Sequence, residues 1–146
     1  MGFMKVVIGV VGICALAACQ WPTAPVDDFS TLPDNVFSAS VRKHVRAGSG
    51  PIDMSKFEQN FMTAFANEDL GTVTKAFQTS GGRCDPATEG GQELVTCKIN
   101  FKWKTTGGYP DLGEAPVWLG LLYQIATRNN RVDGVKVRVH YDAPLN

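Results

Sequence analysis

Leu94-Val95-Thr96-Cys97-Lys98-Ile99-Asn100-Phe101-Lys102-Trp103-Lys104 alternates between apolar and polar side chains without a break. Successive side chains of a strand point to opposite faces, so Val95, Cys97, Ile99, Phe101 and Trp103 share one face. Thr96, Lys98, Asn100, Lys102 and Lys104 take the other, which makes the stretch a half-buried strand. A second strand is expected at Val117 to Thr127, with Leu119, Leu121, Tyr123 and Ile125 on one side. The third, Val135 to Tyr141, places Val135, Val137, Val139 and Tyr141 inward and Lys136, Arg138 and His140 outward. Residues 105–116, rich in Gly and Pro, read as a long loop between the first two, and Asn129-Asn130 or Asp133-Gly134 turns the chain before the third.

Upstream the period changes from two to nearly four. Phe57, Phe61 and Phe65 recur every fourth residue behind Asp53 and the capping-box form Ser55-Lys56-Phe57-Glu58, an amphipathic helix with an aromatic stripe. A second helix starts near Asn67 to Asp69, carries Leu70, Val73 and Phe77 on one face, and ends at Gly81-Gly82. Phe37, Val41 and Val45 support a further short helix after Pro33-Asp34, with a strand still open there. The basic cluster Arg42-Lys43-His44-Arg46 on that element reads as a solvated face, with an anionic lipid headgroup as the alternative contact. Helices followed by alternating strands describe an α+β domain, two or three helices on one face of a three-stranded antiparallel sheet. The opposite sheet face then displays Lys98, Lys102, Lys104, Lys136 and Arg138, with His140 at its end. Solvation, and protection against edge pairing, explains such lysines at the least; the functional reading is a docking surface for an acidic protein, an anionic headgroup or a cell-wall polymer.

The N-terminus has a different character. Lys5, the apolar run Val6 to Leu16 and the small residues Ala17 and Ala18 have the order of a secretory signal, and about 11 apolar residues are too few for a spanning helix. Leu16-Ala17-Ala18-Cys19 resembles the lipobox of bacterial lipoproteins. That resemblance implies diacylation of the Cys19 thiol, cleavage before Cys19 and acylation of the new amine. With Gln20 rather than Asp after the cysteine, it also implies the periplasmic side of the outer membrane. The expected organisation is a signal peptide over 1–18, a lipidated tether over 19–35 and a single domain over 36–146. Pro22, Pro25 and Pro33 favour an extended tether that reaches up to about 50 Å at about 3.1 Å per residue.

Removing Lys5 with the signal leaves thirteen Lys and Arg against fourteen Asp and Glu. Near-neutrality of this kind argues against general nucleic-acid binding. The halves differ, however: residues 94–146 carry seven basic and four acidic side chains. Cys84 and Cys97 are the thiols that remain once Cys14 leaves with the signal and Cys19 is acylated. In an oxidising compartment they are expected to form a disulfide. They lack the C-x-x-C spacing of a redox or metal pair, and the two histidines show no ligand spacing. No cofactor or metal is implied.

Lipobox, proline-rich tether, helix pair and three strands together resemble the small outer-membrane lipoproteins of the SmpA/OmlA type, with Asp53-Met54-Ser55 similar to the Gly-Met-Thr that opens their first helix. The family's Leu-Gly-x-Pro after the helices is replaced by Gly81-Gly82-Arg83-Cys84, and no functional residue besides Cys19 is carried over. The resemblance implies a helix pair against a three-stranded sheet and a role in envelope assembly or, from related folds, in protein inhibition. No Gly-x-Ser-x-Gly elbow, phosphate loop or His-Glu-x-x-His is present, so no enzyme is expected. The expected function is that of a lipid-anchored envelope protein that binds a protein partner through the basic sheet face or the 105–116 loop, where Tyr109, Pro110 and Trp118 are candidate contacts. The alternatives are a small-ligand or lipid carrier with a cavity between helices and sheet, and a structural lipoprotein that binds an anionic polymer.

Overall fold

A computed structural model describes residues 23–89, 92–108 and 113–140. Within them the chain runs β1 (Val26–Asp28), α1 (Val36–His44), α2 (Met54–Phe65), α3 (Leu70–Thr79), β2 (Arg83–Glu89), β3 (Gln92–Thr106), β4 (Glu114–Arg128) and β5 (Arg131–His140). Each helix opens on a side chain that accepts from its first free amides. Asn35 Oδ1 accepts from the N–H of Phe37 and Ser38 at 3.0 and 2.9 Å, Asp53 Oδ1 from that of Ser55 at 3.0 Å, and Asp69 Oδ2 from that of Gly71 at 2.8 Å. Asp53 is therefore the cap of α2, and Glu58, the acid of the capping-box pattern, is directed elsewhere.

The α+β class, the antiparallel meander and the disulfide are as the sequence leads one to expect. β3, β4 and β5 are consecutive neighbours, with Cys97 opposite Tyr123 and Tyr123 opposite Val137. The sheet is wider than three strands. β1 and β2 both pair antiparallel with β3 on its other edge, β2 against Gln92 to Lys98 and β1 against Lys104 to Thr106. Asp85-Pro86 reads as a turn in isolation, yet an edge strand has one side on which the missing proline N–H is not needed. The loop expected over 105–116 contracts to residues 107–113, because β3 continues to Thr106 and β4 begins at Glu114. Asn129 and Asn130, both at positive φ of 51° and 61°, form the two-residue turn between β4 and β5.

Residues 26–35, assigned to the tether on composition, belong partly to the fold. Leu32 is buried, Phe29 packs on Trp103 with ring centroids 5.5 Å apart, and Asp27 accepts from Trp103 Nε1 at 2.9 Å and from the Ala47 N–H at 2.6 Å.

A single core lies between helices and sheet. Phe37 of α1, Phe61 of α2 and Phe77 of α3 all meet the Tyr123 ring of β4, at 5.7, 5.4 and 5.2 Å. Phe57, Ile99, Leu121 and Ile125 are buried around them. Burial pushes the Tyr123 phenol well above its ordinary pKa, so it stays neutral and acts as a core ring. Cys84 and Cys97 face each other in register across β2 and β3 and are joined. Closing that loop of about 14 residues stabilises the fold by about 3 kcal/mol.

Candidate functional site

The register decides which side chains share the outward face. Lys102 lies opposite Trp118, Asn100 opposite Gly120, and Lys98 opposite Leu122. Across β4, Gly120 faces His140, Leu122 faces Arg138 and Gln124 faces Lys136. The strand period of two therefore brings Lys98, Lys102, Lys104, Trp118, Lys136 and Arg138 to one side, opposite the face on which all three helices pack. The β2 pairing adds a cation that the sequence reading did not include: Arg83 lies beside Lys98. Its signal was present in the sequence, since a cross-strand bridge between Cys84 and Cys97 aligns their preceding and following residues.

Lys104 and Lys136 are paired with acids of other elements. Lys104 Nζ donates to Glu114 Oε2 at 2.6 Å, and this bond, reinforced by the charge, holds the ammonium pKa above its usual value. Lys136 Nζ lies 3.4 Å from Glu58 Oε1, which also accepts from the Val137 N–H at 3.1 Å. Glu58 thus leaves the helix cap and covers the open edge of β5, a common way to blunt an edge strand. Both partners come from other elements, Glu114 from β4 and Glu58 from α2, which alternation along a single strand does not show. Arg138 has neither an ion pair nor a hydrogen bond among the described residues.

Trp118 is 39% exposed, and among the described residues only it and Val26 are large apolar side chains left open to solvent. Lys102 Nζ sits 4.6 Å from its ring centroid, within cation–π range. The ring is therefore held at the surface by its neighbour and not tucked into the sheet. Tyr109 and Pro110, its expected companions, lie outside the described residues, as do Tyr141, the Leu16–Cys19 motif and the whole signal segment.

Next to this pair the face is hollow. A cleft of about 300 Å³ is lined by Gly81, Arg83, Lys98, Asn100 and His140. Of these, His140 rests on Gly120 of β4: a Cβ there would lie 2.6 Å from His140 Cε1 and 2.7 Å from His140 Nε2. Only glycine lets the imidazole rest so close to the strand. Both ring nitrogens of His140 are shielded from solvent and have no hydrogen-bond partner among the described residues. Arg83 pairs through Nε with Asp85 Oδ2 at 3.3 Å.

Among the described residues no group of three His, Cys, Asp or Glu side chains gathers as a metal site would require, and no helix is long and apolar enough to cross a membrane. Fold and face define an α+β protein whose helix-free sheet surface mixes one exposed indole with several cations. Compared with protein-family models, with curated proteins and with solved structures, the chain matches none.

Proposed function

We propose that this chain is a non-catalytic, lipid-anchored interaction protein of the bacterial envelope, held through Cys19 on the periplasmic side of the outer membrane, that docks an acidic protein partner on its outward sheet face. The observation that carries the reading is Trp118, an exposed indole stacked under Lys102 on the face opposite the helices. Interface centres are enriched in aromatic anchors, and cations around such an anchor steer an acidic partner. Packing of the interior favours docking over a carrier role, because Phe37, Phe61, Phe77 and Tyr123 fill the space between helices and sheet. The lipid anchor rests on Leu16-Ala17-Ala18-Cys19 alone.

The test is a crosslinked pull-down from envelopes with the native chain, Cys19→Ala, Trp118→Ala with Arg138→Glu, and Lys75→Glu on the exposed side of α3, with mass spectrometry of the Cys19 peptide and of captured proteins. A diacylated Cys19 and a discrete partner, retained by Lys75→Glu and lost by the sheet-face variant, support the reading. An unmodified Cys19 removes the anchor, and capture indifferent to the sheet-face variant removes the docking surface.

A further inference from the structure

We propose that the cleft between the start of β2 and the end of β5 is a binding site for a phosphate-type oxyanion. The site is distinct from the Trp118 contact, and the inference does not depend on a protein partner. Three strands supply it. Register sets Arg83 of β2 beside Lys98 of β3, while Asn100 of β3 and His140 of β5 stand on either side of Gly120 of β4. With no side chain at the central position, the His140 ring lies down over Gly120, and the cleft opens between that ring, Asn100, Lys98 and Arg83.

The chemistry of the lining is that of a donor set. Arg83 spends Nε on Asp85 and has its two terminal nitrogens uncommitted among the described residues. Asn100 contributes an exposed amide, and Lys98 contributes positive charge. An imidazole carries at least one N–H donor, and neither ring nitrogen of His140 has a hydrogen-bond partner among the described residues. A shielded polar group without a partner costs about 1–3 kcal/mol, so a small turn of the ring toward an oxygen in the cleft relieves that cost. A tetrahedral oxyanion offers acceptors in several directions at once, as donors from three strands require, and its pairing with a guanidinium is charge-assisted. About 300 Å³ is the lower end of ligand-site volumes, suited to a compact headgroup or free anion.

His44 and His140 are the only histidines of the chain, so long-range proton–nitrogen spectra of the imidazoles report the site directly. The full chain is titrated with inorganic phosphate, then with phosphatidylglycerol vesicles and with phosphatidylcholine vesicles as the zwitterionic control. A saturable shift of the His140 ring, with His44 unmoved, is expected, weakened at least about tenfold in Arg83→Ala and less in Arg83→Lys. The same shift with phosphatidylglycerol assigns the anion to a lipid headgroup; a shift with inorganic phosphate alone assigns it to a free phosphate. The absence of saturation, an equal response in Arg83→Ala and Asn100→Ala, or a response to vesicles without one to phosphate overturns the proposal.

Discussion

At the scale of single residues, the least replaceable position of the outward face is a glycine. Gly120 lies within a run of strand-forming residues, where glycine weakens a strand unless something approaches closely. Here the His140 ring and carbonyl do, within 2.6–2.7 Å of any added Cβ. Gly120→Ala is expected to displace the ring and to destabilise the fold by about 1–3 kcal/mol, measured by urea unfolding. A stability within a few tenths of the native value would mean that the contact yields freely. His44 makes a second residue-scale test. Its side chain is half-buried on α1 near Phe57, at 6.1 Å between rings. Burial first, then the charges of Lys43 and Lys56, holds its pKa below the ordinary 6.5, against weaker opposing help from Asn60 and Asp53. Protonation therefore favours the unfolded chain: the contribution is complete above pH 6.5 and is lost as pH falls below it. Asp28 and Asp53, whose pKa values are lowered mainly by bonds from Ser30 and Ser55, act only further down, below their ordinary 3.8. His44→Gln is expected to flatten the stability profile just below pH 6.5 and to leave the acid limb unchanged. Neither partner of these two residues is visible in sequence: the His140 contact depends on register, and the burial of His44 on how α1 meets α2.

At the scale of elements, periodicity was a sound guide wherever an element has one wet and one dry face. The Phe57-Phe61-Phe65 stripe and the alternation after Leu94 both resolve into the elements they imply. Edge elements were less legible for a physical reason, since a strand that pairs on one side only can be three residues long or hold a proline. β1 and β2 are such strands. Their contribution to stability is nevertheless specific. Asp27 satisfies both the Trp103 indole N–H and the Ala47 amide, so Asp27→Ala leaves two donors without their partner. A loss of about 1–3 kcal/mol is expected, and a chain that begins at residue 36, without Phe29 and Leu32, is expected to lose more. Thermal unfolding of both variants distinguishes a docked segment from a passive tether, because a tether would leave the midpoint unchanged. The disulfide belongs to the same scale. Cys84→Ser with Cys97→Ser should cost about 3 kcal/mol, read from the urea midpoint. The basic face was legible as an inventory of cations and illegible as a charge map, since Glu114 and Glu58 reach Lys104 and Lys136 from other strands and helices.

At the scale of the whole molecule, the docked N-terminal segment decides how far the domain stands from Cys19. Composition gives a tether of up to about 50 Å. In the structure the Thr23 carbonyl already accepts from the Gly108 N–H at 2.8 Å, and Val26 pairs with Thr106. From Cys19 to Thr23 the chain makes four steps, which span at most about 14 Å when fully extended. With Cys19 lipidated, the domain therefore rests close to the headgroups, and a partner docked on the sheet face must itself lie near the membrane. Lys75→Cys on exposed α3 places one dye on the domain, because Cys84 and Cys97 are bridged and a lipidated Cys19 has no free thiol. Energy transfer from that dye to acceptors in the bilayer is expected to be strong for the lipidated chain and to fall when about ten Gly and Ser residues are inserted after Gln20, because such a linker adds about 17 Å of root-mean-square reach. If transfer is already weak before the insertion, the Thr23 and Val26 contacts do not persist at the membrane, and the long tether returns. If it is strong and insensitive to the insertion, the domain adheres to the bilayer by its own surface, and the phosphate cleft is then the first place to look for the contact.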